Sequence, residues 1–115
     1  MIWTLTQVAV GGAIGSALRF VVVAFVGAPM AVLAVNVVGS FAMGVAFVLL
    51  WARLSPLLIT GVLGGFTTFS AFSLDALKLW EAGQASQAAL YVAGSVILSL
   101  GAVALGAALA RGVWA

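Results

Sequence analysis

Charged side chains are so sparse in this chain that they leave three uninterrupted apolar stretches, at residues 20–52, 54–74 and 82–110. A helix crosses the hydrocarbon core of a bilayer with about 20 residues, so each stretch can span a membrane. Only 5% of the residues are charged and 66% are hydrophobic. A soluble helical protein could not build polar outer faces from this composition. The sequence therefore predicts an all-α membrane protein.

Turn-forming residues divide the chain into four predicted spans joined by short loops. Glycine, proline and polar residues cluster at residues 27–29, 53–56 and 81–84, and such clusters usually end helices. We therefore expect four transmembrane helices, at about residues 2–25, 31–52, 56–80 and 85–110. Together they form a single transmembrane domain over residues 1–115, which predicts a multi-pass protein of the plasma membrane or bacterial inner membrane, with the lipid bilayer around it.

The positive charges are balanced across these predicted spans. An up-and-down path places Arg53 and Arg111 on one side of the membrane and Arg19 and Lys78 on the other. Membrane proteins normally orient themselves by an excess of Lys and Arg on the cytoplasmic side, and this chain has no such excess. We therefore expect insertion in both orientations and an antiparallel, dual-topology homodimer, since a single short chain would struggle to enclose a pore.

The chain contains no cysteine and no histidine. Thiol nucleophiles, imidazole bases and the commonest transition-metal ligands are therefore absent from the sequence, and we do not expect an enzyme. The four cations lie at predicted helix ends, where they are better explained as anchors at the membrane interface than as a nucleic-acid site. We expect no nucleic-acid partner.

The third predicted span contains a stretch that favours local unwinding. Gly64 and Gly65 weaken the helix, and the hydroxyls of Thr67, Thr68 and Ser70 compete for backbone hydrogen bonds. Carbonyls freed at bilayer depth must be buried in protein, hydrated or bound to an ion. Carbonyls from two copies meeting at a dimer axis would suit a hard cation such as Na⁺. A kink packed against a neighbouring helix explains the same pattern.

Aromatic and hydroxyl side chains recur at helical spacing in the last two spans. Phe69 and Phe72 fall on one face, and the positive edge of a phenyl ring can face an anion. Rings of this kind also commonly face lipid or fill a core. The fourth span carries one continuous polar stripe, which should face a partner or an ion path. Its members are Gln87, Tyr91, Ser95 and Ser99.

Two further polar residues admit two interpretations each. Asn36 is a lone amide in the second span, where it could donate to an anion or join two helices by hydrogen bonds. Arg19 could attract anions at a vestibule or extend to the membrane interface.

The two acidic residues, Asp75 and Glu81, flank the end of the third predicted span. A coupled four-helix exporter of small cationic compounds, which is the main alternative, needs an acid embedded in the membrane. Hydroxyls, an amide and ring edges without such an acid favour a passive anion path. A non-conducting helical assembly is a third possibility, but it leaves the polar stripe of the fourth span without a purpose.

Three motifs resemble the Fluc (CrcB-type) fluoride channel family. They are the first-helix pattern at residues 11–20, the Asn motif at residues 36–41 and the helix-break motif at residues 64–72. The resemblance covers essentially the whole chain. It implies passive export of fluoride from the cytoplasm, which lowers fluoride toxicity, through an antiparallel dual-topology dimer with two pathways and a structural Na⁺ on the two-fold axis.

The resemblance also implies roles for individual residues. Backbone carbonyls of Gly64 and Thr67 from both subunits would hold Na⁺. The fluoride pathway would be lined by the residues that match the family's pore amide, ring pair, polar track and first-helix arginine: Asn36, Phe69, Phe72, Tyr91, Ser95, Ser99 and Arg19. The chain departs from the family pattern at Ala71, where many members have Thr, and at Phe20, where Tyr is frequent.

Overall fold

The computed structural model of the chain describes the backbone of residues 1–114 and the side chains of residues 1–112. These residues form helices joined by short turns, without any strand. A π-helical stretch runs directly into a single α-helical turn, and we treat the two as one element, α3. The elements are α1 (Ile2–Val26), α2 (Met30–Leu54), α3 (Ser55–Leu63 and Gly64–Phe66), α4 (Ser70–Glu81) and α5 (Ala85–Trp114).

Three largely helical segments are long and apolar enough to cross a membrane: Ile2–Val26, Met30–Glu81 and Ala85–Gly112. The middle segment has 52 residues, more than twice the roughly 20 that one crossing needs. Large apolar side chains such as Phe20, Phe25 and Leu90 are exposed along the outside of the helices, where lipid can solvate them. The predicted all-α, multi-pass membrane protein is confirmed.

The turn between α1 and α2 and the turn between α4 and α5 both depend on a glycine. Gly27 and Gly83 have φ values of 86° and 78°, a left-handed conformation that glycine adopts without steric cost. Each lies in a tight turn that returns the chain to the membrane.

At residues 53–56, where the sequence predicts a loop, α2 ends at Leu54 and α3 begins at Ser55 without an intervening loop residue. The chain changes direction at Leu54, whose φ and ψ are −121° and 16°. Pro56 lies in the first turn of the π-helical stretch, where a missing N–H breaks no helical hydrogen bond. The proline therefore marks the start of a helix and does not require a loop.

Glycines bring α1 and α3 into backbone contact. A Cβ on Gly11 would collide with the carbonyl of Leu57, and one on Gly15 would lie 2.7 Å from the backbone nitrogen of Phe66. Both residue numbers increase together along the contact, so α1 and α3 run parallel. Close approach of this kind is the packing that small residues allow in membranes.

A second parallel pair is formed by α2 and α5. A Cβ on Gly44 would lie 2.8 Å from the nitrogen of Ala107. Nearer the start of both helices, Val32 shares a buried cluster with Tyr91, so residue numbers increase together along the pair. By contrast, Gly39 of α2 faces Phe66 while Asn36 faces Thr68, so α2 runs opposite to α3. The chain therefore alternates in direction from α1 to α2, to α3, and to α5.

Candidate functional site

A groove of about 460 Å³ lies between α2, the segment at residues 67–69 and α5. Its wall combines amide, hydroxyl and aromatic side chains with backbone, and it contains no charged residue. The lining residues are Asn36, Ser40, Gly64, Thr67, Thr68, Phe69, Phe72, Ser95, Val96, Ser99 and Leu100. Most of the residues that the sequence singled out for an ion path therefore meet in one place.

Asn36 holds the non-helical segment in place. Its Oδ1 accepts a hydrogen bond from the N–H of Thr68 at 2.8 Å, and its Nδ2 donates to the carbonyl of Thr68 at 2.9 Å. One side-chain amide thus satisfies both polar groups of a residue that lies outside any helix. The Nδ2 group carries a second hydrogen, which remains for another acceptor. Asn36 therefore connects α2 to the non-helical segment that follows α3.

The backbone leaves the helix at Thr67, whose ψ is 156°. Its N–H and its hydroxyl both donate to the carbonyl of Leu63, each at 3.0 Å. Thr67 therefore ends α3 and also supplies the two hydrogen bonds that complete its last turn.

Two carbonyls in this region lose the donors that a continuous helix would supply. The N–H of Thr68, which would reach Gly64, is bonded to Asn36. The N–H of Ala71, which would reach Thr67, donates to the hydroxyl of Thr68 at 3.2 Å. The carbonyl oxygens of Gly64 and Thr67 are thereby available to another partner.

Three aromatic rings form a continuous row from the groove into the protein. The centroids of Phe69 and Phe72 are 5.4 Å apart in an edge-to-face arrangement, and those of Phe72 and Tyr91 are 5.2 Å apart. Phe69 is 76% exposed, whereas Phe72 and Tyr91 are buried in one cluster with Val32. Tyr91 does not line the groove itself but packs directly behind its wall.

Two hydroxyls of the α5 stripe lie in the groove. Ser95 is only 4% exposed, and its Oγ is buried without a hydrogen-bond partner among the described residues. Ser99 lies one turn further along and is half-buried. Gln87, the first member of the predicted stripe, is exposed and lies outside the groove. The stripe therefore faces the groove only from Ser95 onward.

Arg19 lies near the groove but does not line it. Its Nε donates to the carbonyl of Gly65 at 3.3 Å, and the side chain is half-buried. The guanidinium group thus contacts the last turn of α3, rather than extending freely away from the protein.

Asp75 requires a correction, since the sequence placed it at the end of a span. It is only 7% exposed, and the hydroxyl of Tyr91 donates to its Oδ2 at 3.5 Å. Asp75 follows Phe72 by three residues and precedes Leu79 by four, and both of these pack in the buried cluster. This helical spacing was a signal that the carboxylate faces inward. At the level of sequence, we considered only an acid embedded in the membrane and overlooked that Asp75 is buried between helices.

Comparison with known proteins agrees with the whole-chain resemblance. The family described as CrcB-like protein, Camphor Resistance (CrcB), matches residues 6–107. Two relatives, each named Fluoride-specific ion channel FluC, come from Paracoccus denitrificans (strain Pd 1222) and Ruegeria sp. (strain TM1040). The first is 50% identical and covers 97% of this chain and 98% of the relative, and the second is 51% identical and covers 98% of each.

A third relative with the same name, from Jannaschia sp. (strain CCS1), is 57% identical over 91 residues, which cover 76% of this chain and 87% of the relative. The chain belongs to the CrcB family. Its resemblance to that family, first visible in three motifs, is confirmed.

Two groove residues of this CrcB protein were missed as site candidates. Thr68, whose backbone is hydrogen-bonded to Asn36, lines the groove, and Ser40 lines it from α2. Ser40 lies within the Asn motif at residues 36–41, but no role is assigned to it from the sequence. Its position four residues after Asn36 places it on the same helix face, and that spacing could have identified it.

Proposed function

We propose that this chain is a fluoride-selective ion channel that passively exports fluoride from the cytoplasm and so lowers its toxicity. The observation that carries the proposal is the groove, which offers neutral donors and ring edges and contains no charged side chain. The names of relatives that are about half identical over nearly the whole chain support the same function.

The groove suits an ion that is small and strongly hydrated. Such an ion must exchange its water for several weak donors in succession, so that it can both enter and leave. Ser95 and Ser99 supply hydroxyls, Asn36 supplies its remaining N–H, and Phe69 supplies a ring edge. Each of these groups is neutral, so none of them binds the anion as tightly as a fixed positive charge would.

We further propose four membrane spans and an antiparallel homodimer. The spans are α1, α2, the combination of α3 and α4 with a break at residues 67–69, and α5. The exposed Phe69 and the unbonded carbonyls at the break support the dimer, because polar backbone cannot face lipid. A second copy in the opposite orientation would cover them, and the even distribution of positive charges favours both orientations.

The carbonyls of Gly64 and Thr67 are the proposed Na⁺ ligands. Neutral oxygen atoms are the donors that a hard cation prefers, and these two have lost their helical donors. In a dimer, each copy would contribute both carbonyls. The positive charge of the ion would hold together the non-helical segments, residues 67–69, of the two copies. Asn36 would fix each segment from the other side through its hydrogen bonds to Thr68.

Ion efflux from liposomes tests the proposed function. Vesicles that contain only this purified protein are loaded with fluoride or chloride, and valinomycin with K⁺ balances the charge. We expect rapid loss of fluoride, retention of chloride, and dependence on the ionophore. Fluoride loss without the ionophore would indicate coupled transport, and the absence of fluoride loss from a folded dimer would contradict the channel.

A further inference from the structure

Ser40 lines the groove from α2, opposite the hydroxyl stripe of α5. We propose that Ser40 is a direct fluoride contact that acts as a pair with Ser99 at one end of the groove. This inference rests on the proposed channel function and adds a second row of donors to it. The path would then run between two helices, with donors on both sides, rather than along α5 alone.

The register of α2 against α5 places the two serines close together along the helix pair. Val32 shares a buried cluster with Tyr91, and a Cβ on Gly44 would lie between the backbones of Val103 and Ala107. Because parallel helices of equal rise keep a constant offset in residue number, Ser40 faces the turn of α5 at residues 99–103. Ser99 is the polar side chain of that turn, and it lines the groove.

The same register places Asn36 opposite the turn that begins at Ser95. The groove therefore contains two successive levels, each with one polar group on α2 and one on α5. Asn36 and Ser40 are four residues apart, as are Ser95 and Ser99, so both rows follow one face of their helix. An anion moving along the groove would meet an amide and a hydroxyl first, and then two hydroxyls.

The hydroxyls of this second level have no internal partner. Thr67 and Ser73 donate to the carbonyl four residues earlier, at 3.0 and 2.9 Å, as hydroxyls in apolar helices commonly do. Ser40 and Ser99 make no hydrogen bond with any residue that the structure describes. Their O–H groups are therefore available to an anion without first breaking a bond within the protein.

The level of Ser40 and Ser99 is also where the space between α2 and α5 ends. One turn further along, Gly44 and Gly106 bring the two backbones together, and a Cβ on Gly44 would lie 2.8 Å from the nitrogen of Ala107. An ion cannot continue between the helices past this contact. It must leave sideways at the two serines, and two donors there would hold it during the change of direction.

The test is the fluoride dependence of efflux for Ser40→Ala in the purified, full-length protein. We expect the fluoride concentration that gives half-maximal initial efflux to rise about tenfold, the lower end for loss of a hydrogen bond to a charged group. Ser40→Thr keeps the hydroxyl and should restore most of the affinity. Ser86→Ala makes the same substitution at an exposed position outside the groove and should behave as the unmodified protein.

A merely structural role for Ser40 would change the amount of folded dimer or the maximal rate, without moving the half-maximal concentration. An unchanged concentration in Ser40→Ala, together with a raised one in Ser99→Ala, would overturn the inference. If Ser40→Ala fails to fold, Ser40→Cys provides a weak donor of similar size, and its half-maximal concentration should lie between those expected of the serine and alanine forms. An unchanged value in Ser40→Cys would also count against Ser40.

The double variant Ser40→Ala, Ser99→Ala tests whether the two serines hold the same ion. Residues that share one partner have non-additive effects, so the combined rise should be smaller than the product of the two single rises. A fully multiplicative effect would overturn the pair. If the unmodified protein itself released no fluoride, the proposed function would fail first, and this inference would fail with it.

Discussion

The two parallel helix pairs of this protein use glycine in the same way but have different consequences. The pair α1–α3 is in close backbone contact from Gly11 to Gly15, and Gly65 continues the contact by approaching Gly12. The pair α2–α5 is equally close at Gly44 and Gly106 but separates at Ser40 and Ser99 to form the groove. One pair is therefore complete within a single chain, whereas the other leaves a polar surface that needs a cover.

The largest effect should come from preventing a second, oppositely oriented copy from covering the groove. Replacing both Ala52 and Leu54 with Lys adds positive charge to one side of the membrane and should orient all copies alike. An antiparallel dimer could not form, so we expect fluoride efflux to be abolished while α1 and α3 remain packed. Orientation is measured by labelling cysteines introduced at the two ends, and efflux is measured in liposomes.

The matched control places one lysine on each side, as Ala52→Lys with Ala82→Lys. It adds the same charge but keeps the balance, and it should retain dual orientation and efflux. Full activity in a population shown to be uniformly oriented would contradict the antiparallel dimer.

Adding a methyl group at a helix contact should next show that both pairs depend on backbone approach. Gly15→Ala would bring Cβ onto the carbonyl of Val62, and Gly44→Ala would bring it onto that of Val103. We expect each to destabilise the protein by about 1–3 kcal/mol or more, as overpacking does. Thermal unfolding in detergent measures the change. Gly101→Ala, which faces open space, should be harmless, and equal damage there would reject the packing explanation.

Removing the two hydrogen bonds between Asn36 and Thr68 should lower both the stability of the protein and the rate of transport. Asn36→Ala leaves the N–H and the carbonyl of Thr68 without their partner, and each such loss costs about 1–3 kcal/mol. Asn36→Asp keeps an acceptor but loses the donor and adds a negative charge beside the path. We expect both variants to unfold at lower temperature, with Asn36→Asp reducing fluoride efflux more. Normal stability of Asn36→Ala would show that the hydrogen bonds to Thr68 contribute little to folding.

The smallest change in stability should accompany loss of the hydroxyls on α5. Ser95→Ala removes a buried oxygen that has no hydrogen-bond partner among the described residues, so stability should be unchanged or slightly higher. Together with Ser99→Ala it should lower fluoride efflux about tenfold, the effect of losing a hydrogen bond to a charged group. Normal efflux in the double variant would show that the stripe is not part of the path.

The buried Asp75 weakens one argument against the coupled exporter, because that argument relied on the absence of an acid embedded in the membrane. The distinction between channel and exporter now depends on the composition of the groove, the names of the relatives and the ionophore dependence of transport. Because the carboxylate accepts a hydrogen bond from Tyr91, it is linked to the ring row behind the groove wall.

Much of the architecture could be read from local sequence, because hydropathy and glycine act within one helix. Long apolar stretches predicted membrane helices, and the regular spacing of Ser95 and Ser99 predicted that both face the same surface. The first loop was predicted at Gly27, where the chain needs a positive φ. At Leu54 and Pro56 the same signals predicted a loop, and the chain reverses there without an intervening loop residue, because a proline is tolerated at the start of a helix.

The sequence alone is enough to establish that this chain is helical, apolar enough for a bilayer and a member of the CrcB family. The packing of the helices was needed to show that Asn36 is hydrogen-bonded to Thr68, that Asp75 is buried, and that Ser40 lines the same groove as Ser99. These facts depend on which faces of distant helices meet, and on their register. Periodicity within one helix shows which residues share a face, but the packing between helices decides what that face contacts.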